Sequence, residues 1–256
     1  MRWPDWSVRA TSALLLLPIM LAMLAAGTAR AAHETLREES GTVFANLKGE
    51  VLLDNERVIV HSFVLAPGQS TGKRAVAADQ LMVFIRGGTL KSTAGGRSTM
   101  WHDGRVAWLP ADEPADSGVT NVGTQPIRFE VVSFKPLVAV AGSPAASPAG
   151  ASKFRHLNYP NIPGEDLLEN DEVIVQRFLV QPGQWEGVHA HHPDMLYIHV
   201  KGGRWAARSY TGACVYPDDS PDGSVGWMRT TPITEGHESQ NAGKEPIDLI
   251  WVTLKR

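Results

Sequence analysis

Apolar residues along this chain recur in short runs rather than at helical spacing. Val58-Ile-Val, Phe63-Val-Leu, Leu81-Met-Val-Phe-Ile and Phe129-Glu-Val-Val are rich in β-branched side chains, and Pro-Gly, Gly-Gly or Asn-x-Gly turns separate them. A second series follows: Val173-Ile-Val, Phe178-Leu-Val, Leu196-Tyr-Ile-His-Val and Leu249-Ile-Trp-Val. No stretch holds a convincing 3.6-residue apolar period. Many short strands at close spacing predict an all-β architecture, a sandwich or barrel for each series. Helix is expected only in short turns such as Gly164-Glu-Asp-Leu-Leu168.

The two series are copies of one unit. Asn55-Glu-Arg-Val-Ile-Val-His-Ser-Phe-Val-Leu-Ala-Pro-Gly-Gln69 aligns without gaps on Asn170-Asp-Glu-Val-Ile-Val-Gln-Arg-Phe-Leu-Val-Gln-Pro-Gly-Gln184. The same register pairs Gly72 with Gly187, Asp79 with Asp194, Leu81 with Leu196 and Gly87-Gly88 with Gly202-Gly203. Later, Gly104-Arg-Val-Ala-Trp108 matches Gly223-Ser-Val-Gly-Trp227, so the second copy carries a short insertion around Cys214 to Pro221. The recurrence of Trp108 and Trp227 assigns both to the core. Residues 139–152, composed of Ala, Gly, Ser, Pro and Val, read as an extended linker between a first domain over 32–138 and a second over 153–256.

Residues 1–31 have the layout of a secretory signal peptide. Arg2 and Arg9 precede an apolar run from Ala13 to Ala26, and Ala29-Arg-Ala31 is a small-x-small cleavage signal. The expectation is a periplasmic or secreted protein, with no membrane span left after cleavage. Cleavage would remove Arg2, Arg9, Arg30 and Asp5, taking the formal charge from −3 to −5. A mildly acidic chain without a long Lys/Arg run argues against nucleic acid and anionic membranes as partners. The single cysteine, Cys214, has no intramolecular partner, so stability must come from apolar burial rather than a disulfide. Phosphate-binding loops, the Gly-x-Ser-x-Gly elbow and Cys-x-x-Cys are all missing from the sequence.

The candidate chemistry lies in Gly183-Gln-Trp-Glu-Gly-Val-His189-Ala-His191-His192. Side chains two apart on a strand share a face, so His189 and His191 offer two imidazoles to one ion. A third comes from His237, in Thr234-Glu-Gly-His237-Glu-Ser-Gln-Asn241. His192 is out of phase and faces away or caps a turn. His61, His102, His156 and His199 are assigned no ligand role.

These two segments resemble the two sequence motifs of the cupin superfamily. There a glycine precedes a His-x-His pair, a glutamate follows three or four residues later and a glycine six residues after that; Gly202 meets the last requirement. With the duplication, the chain from residue 32 onward looks like a bicupin, with two tandem jelly-roll barrels. Its strands look most like the small cupins associated with β-alanine degradation. One position departs from the pattern: Met195 stands where the glutamate ligand is expected. Asp194, the nearest carboxylate, is out of phase with the histidines, and the first copy keeps its counterpart Asp79 although Arg74 and Val76 replace His189 and His191 and Ser117 replaces His237. Asp194 therefore reads as a turn acceptor and the site as three histidines.

Three neutral imidazoles suit iron, zinc, manganese, nickel or copper as one divalent ion, with coordination positions left open. Tyr197 is in phase with the site and offers a phenol to a substrate or oxygen species, or fills the barrel. Glu238 and Glu235 flank His237 as candidate general bases, with solvated loop carboxylates as the other reading. Trp185 is in phase with His189 at the mouth. The resemblance implies a metal-dependent enzyme on a small polar or acidic metabolite, dioxygenase-type first, then lyase or isomerase; a non-catalytic binding protein of the envelope is the alternative. Exposed barrel edges allow pairing of chains as a homodimer.

Overall fold

The computed structural model describes residues 43–75, 78–112, 118–136, 156–192, 194–209, 214–228 and 236–255, without the side chains of 214–217. The signal peptide and linker expectations, Val76, Ser117 and Glu235 fall outside these residues, as does the side chain of Cys214. Residues 42–256 form one compact unit.

The described regular structure is entirely β. In the first copy β1 (Glu50–Asp54), β2 (Val58–Leu65), β3 (Gln80–Arg86), β6 (Val106–Leu109) and β8 (Ile127–Phe134) make a five-stranded sheet in the order β1-β2-β8-β3-β6. A three-stranded sheet, β5-β4-β7, joins β4 (Gly88–Ser92), β5 (Ser98–Trp101) and β7 (Val119–Asn121). The second copy repeats this with β9 (Glu165–Glu169), β10 (Val173–Val180), β11 (Met195–Lys201), β14 (Val225–Met228) and β16 (Ile247–Leu254) in the order β9-β10-β16-β11-β14. Its smaller sheet orders β12 (Gly203–Ser209), β13 (Cys214–Ser220) and β15 (His237–Asn241) as β13-β12-β15. Two tandem double-stranded β-barrels of the cupin type result. Among the described residues no helix is long and apolar enough to cross a membrane.

The segment Gly164 to Leu168, expected as a helical turn, is corrected to strand. Glu165–Glu169 pairs antiparallel with β10, matching Leu168 with Val175 and Glu165 with Arg177. A bulge explains it: the register shift at Leu167 lets Leu167 and Leu168 both pack against the core, and the flanking acids stay exposed.

Why the central strands read as nearly continuous apolar runs follows from burial on both faces. One face of β2, β3 and β8 lines the first barrel with Phe63, Phe84, Phe129 and Val131. The other face places Val58, Val60, Leu81, Val83 and Val132 in one cluster with Val173, Val175, Leu196, Ile198 and Val252 of the second copy. The two large sheets therefore share a core. The inner face of the second barrel carries Phe178, Val180, Met195, Leu249 and Trp251.

Candidate metal centre

His189 and His237 meet backbone to backbone: each amide donates to the other's carbonyl, at 3.0 and 3.3 Å. This bridge joins the segment before β11 to the first residue of β15, which brings the two sequence motifs together. Gly187 precedes it with φ +85°, a left-handed turn that an L side chain rarely adopts. Its carbonyl accepts a hydrogen bond from His189 Nδ1 at 2.9 Å. That bond fixes the tautomer, leaving the His189 Nε2 lone pair aimed at the cluster.

His191 Nε2 lies 3.0 Å from His189 Nε2 and 3.3 Å from His237 Nε2. Two donors about 2.1 Å from one ion, at right-angled to tetrahedral spacing, stand about 3.0–3.4 Å apart. Both spacings are in that range, and the three histidines, with ligand atoms within 4.8 Å of one another, could hold one metal ion; this is the only such group of three or more among the described residues. Burial keeps the rings neutral: it pushes His189 down to about 4 and His191 to about 3, and it lowers His237. Lone pairs, rather than protons, are therefore available at physiological pH.

The histidines line a cavity of about 180 Å³ in the second barrel. Tyr159 packs on His189 at 4.5 Å between ring centroids, and Trp251 packs on His191 at 4.8 Å. Trp251 Nε1 donates to the Tyr159 hydroxyl at 2.7 Å. Since an indole N–H can only donate, the phenol gives its own proton to its second partner, Glu186. Glu186 is 2% exposed, accepts from the Ser239 amide at 3.3 Å, and has Oε2 4.0 Å from His189 Nε2. Burial pushes its carboxyl up to about 8, against the pull of these hydrogen bonds.

Tyr197 lines the same cavity with its ring 5.4 Å from Trp251, and burial followed by the charge of Asp218 raises its hydroxyl pKa. His199, beside it, accepts from Trp205 Nε1 at 3.0 Å and bonds Ser224 Oγ through Nδ1 at 2.9 Å. Both ring nitrogens are used, so His199 is a wall residue, held neutral by burial that lowers it to about 4.

Glu238 is not where a general base would stand. Alternation along β15 turns it to the face opposite His237 and Ser239, where Arg208 Nε and Nη2 hold its carboxylate. The acid that enters the cavity is Glu186. Trp185 also lies outside the lining, with the Arg208 guanidinium 4.1 Å above its ring. His192 is half-buried and outside the lining as well. Asp194 adopts φ 59°, its carbonyl accepts from the Leu254 amide, and its carboxylate pairs with Arg57 of the first copy. Asp79 likewise accepts from the Phe134 amide through its carbonyl, and its carboxylate accepts from the Ala111 amide. Met195 is fully buried in the barrel packing and does not line the cavity.

Glu186 and Tyr159 went unassigned in the sequence, although the repeat contains their signal. The register that pairs Gly72 with Gly187 also pairs Thr71 with Glu186 and Phe44 with Tyr159. In the first copy the Thr71 hydroxyl accepts from the Val119 amide at 3.0 Å, the bond that Glu186 makes with Ser239 in the second. A small hydroxyl and an apolar ring thus become an acid and a phenol only where the histidines are.

No protein-family model and no curated protein matches the chain. Solved structures do. AerE from Microcystis aeruginosa aligns over 83% of this chain and 94% of its own, at 12% identity and a TM-score of 0.56. An oxalate decarboxylase from Bacillus subtilis aligns over 82% and 72%, at 12% identity and a TM-score of 0.52. A cupin 2 conserved barrel domain protein from Leptotrichia buccalis aligns over 83% and 90%, at 12% identity and a TM-score of 0.46. At such identities the first two likenesses concern the fold, and they agree with the two-barrel cupin architecture traced above.

Proposed function

We propose that this protein is an exported metal-dependent enzyme that transforms a small polar metabolite in the lumen of its second barrel, with dioxygenase-type oxidation as its reaction class. The observation that carries the reading is the convergence of three neutral imidazole nitrogens at one end of a cavity with aromatic walls. A bound divalent ion (iron, zinc, manganese, nickel or copper) supplies Lewis acidity and open coordination positions there. The chain's own groups do the remaining work. The Gly187 carbonyl orients His189. Tyr159 and the Ser239 amide orient Glu186. Tyr197 keeps its proton because burial raises its pKa, so its hydroxyl can donate a hydrogen bond to a substrate oxygen. Trp205, Trp251, Met228 and Leu249 narrow the space for water around the reacting atoms.

Metal analysis of the purified chain tests the reading. One ion per chain is expected, and His191→Ala should lose it while remaining folded. A wild-type chain without stoichiometric metal would sink the proposal. If iron is present, oxygen uptake against panels of small acids, thiols and amines should find a substrate; metal without turnover would make the protein a binder. Export is supported by the layout of residues 1–31, and N-terminal sequencing of the mature protein should begin at Ala32.

A further inference from the structure

The cavity has two chemically different ends. From the histidine cluster the rings step outward: His191 to Trp251 at 4.8 Å, Trp251 to Tyr197 at 5.4 Å, Tyr197 to His199 at 5.5 Å. At the far end, strand register sets the charge. Trp205 pairs directly with Asp218 across β12 and β13, so both lie on the face that lines the cavity, with Asp218 exposed at its mouth; the neighbouring pair, Arg204 and Asp219, takes the opposite face. Ser220 lines the same end. Among the described residues the lining holds two carboxyl groups, Glu186 and Asp218, and no Lys or Arg. His199, spent on Trp205 and Ser224, offers no positive charge either.

Among the described residues a carboxylate ligand would find no cationic side chain at this end, only the Tyr197 and Ser220 hydroxyls. A cation would find the faces of Tyr197 and Trp205 and the Asp218 carboxylate, the combination that attracts ammonium groups. The histidine end has the opposite preference once it holds a divalent ion, because an ammonium there would be repelled. On the reading of this cavity as a ligand site, we infer that its ligand is a small protonated amine, with the ammonium seated against Tyr197, Trp205 and Asp218 and an oxygen donor directed toward the three histidines.

Calorimetric titration of the protein with propylammonium, 1-propanol and propionate at neutral pH tests this, with zinc binding measured separately beforehand. These probes differ little in size and differ in charge. Propylammonium should bind roughly tenfold more tightly than either of the others. Asp218→Asn should remove most of that preference, and Asp219→Asn, the same charge change on the outer face, should leave it intact. Propionate binding as tightly as propylammonium would overturn the inference. So would equal effects of the two Asn variants. Failure of zinc to bind would count against the metal reading alone, since the three-probe comparison can be made on metal-free protein.

Discussion

Tyr197 and Gly226 face each other across β11 and β14, where the first copy has Met82 and Ala107. A Cβ built on Gly226 would overlap the Tyr197 phenol, so the glycine is what admits a ring in place of a thioether. Gly226→Ala should therefore destabilise the protein by about 1–3 kcal/mol, as overpacked sites do. Adding Tyr197→Met restores the first copy's pair and should recover most of the loss. Thermal unfolding of the two single variants and the double variant measures this as a mutant cycle; strict additivity would refute the steric account. The same one-for-one exchange accounts for what was legible in the sequence at this scale. His189, His191 and His237 could be found because metal ligands have a recognisable spacing. Glu186 could not be found by spacing, since one acid beside a glycine has no pattern of its own. Only its contrast with Thr71 marks it. Glu238 was misplaced for a related reason: adjacency to His237 in sequence means the opposite face on a strand.

At the level of elements, the turns were the most readable parts. Asn55 and Asn170, at the same repeat position, each cap a tight turn by accepting two backbone amides. Asn121 and Asn241 are fully buried, and each makes three bonds. Asn241 Nδ2 donates to the Val180 and Glu245 carbonyls, both at 2.8 Å, and Oδ1 accepts from the Gly243 amide at 2.9 Å. Asn121 repeats this with Leu65, Gln125 and Gly123. Asn121→Ala and Asn241→Ala should each cost about 2–4 kcal/mol, because buried backbone groups lose their partners. Urea unfolding should give similar losses for both, and Asn241→Ala should keep the metal stoichiometry of the wild type; loss of metal would show that the asparagine also positions His237. Strand edges were less legible than turns. The segment Glu165–Glu169 looked like a turn because two leucines between acids give too short a pattern to set a period, and its pairing with β10 decides the matter.

For the whole molecule, duplication has made each large sheet an interior layer with one barrel lumen on one side and the shared core on the other. The lumen positions changed chemistry between the copies, while the buried shared-core cluster is apolar on both sides. Glu130 is a buried acid on that same face. It faces away from the lumen, 0% exposed, with neither carboxylate oxygen hydrogen-bonded within the structure, at the place where a Cβ on Gly223 of the second copy would meet it. Arg128 stands 4.0 Å away and spends Nη1 on the Asp222 carbonyl. Burial outweighs that neighbour and pushes the Glu130 carboxyl up to about 8. The folded protein therefore keeps a proton that the unfolded chain releases above about 4.5. The Glu130 contribution to the unfolding free energy should fall as pH rises from about 4.5 to about 8 and then level off, by up to about 1.4 kcal/mol per pH unit, while the histidines that burial lowers contribute the opposite slope below about 6.5. Glu130→Gln keeps the shape and removes the titration. In denaturant unfolding at pH 5 and pH 8, the change in stability from pH 5 to pH 8 should be more favourable in the variant than in the wild type. Equal changes in both proteins would mean that Glu130 is ionised in the folded state and that Arg128 neutralises it between the barrels.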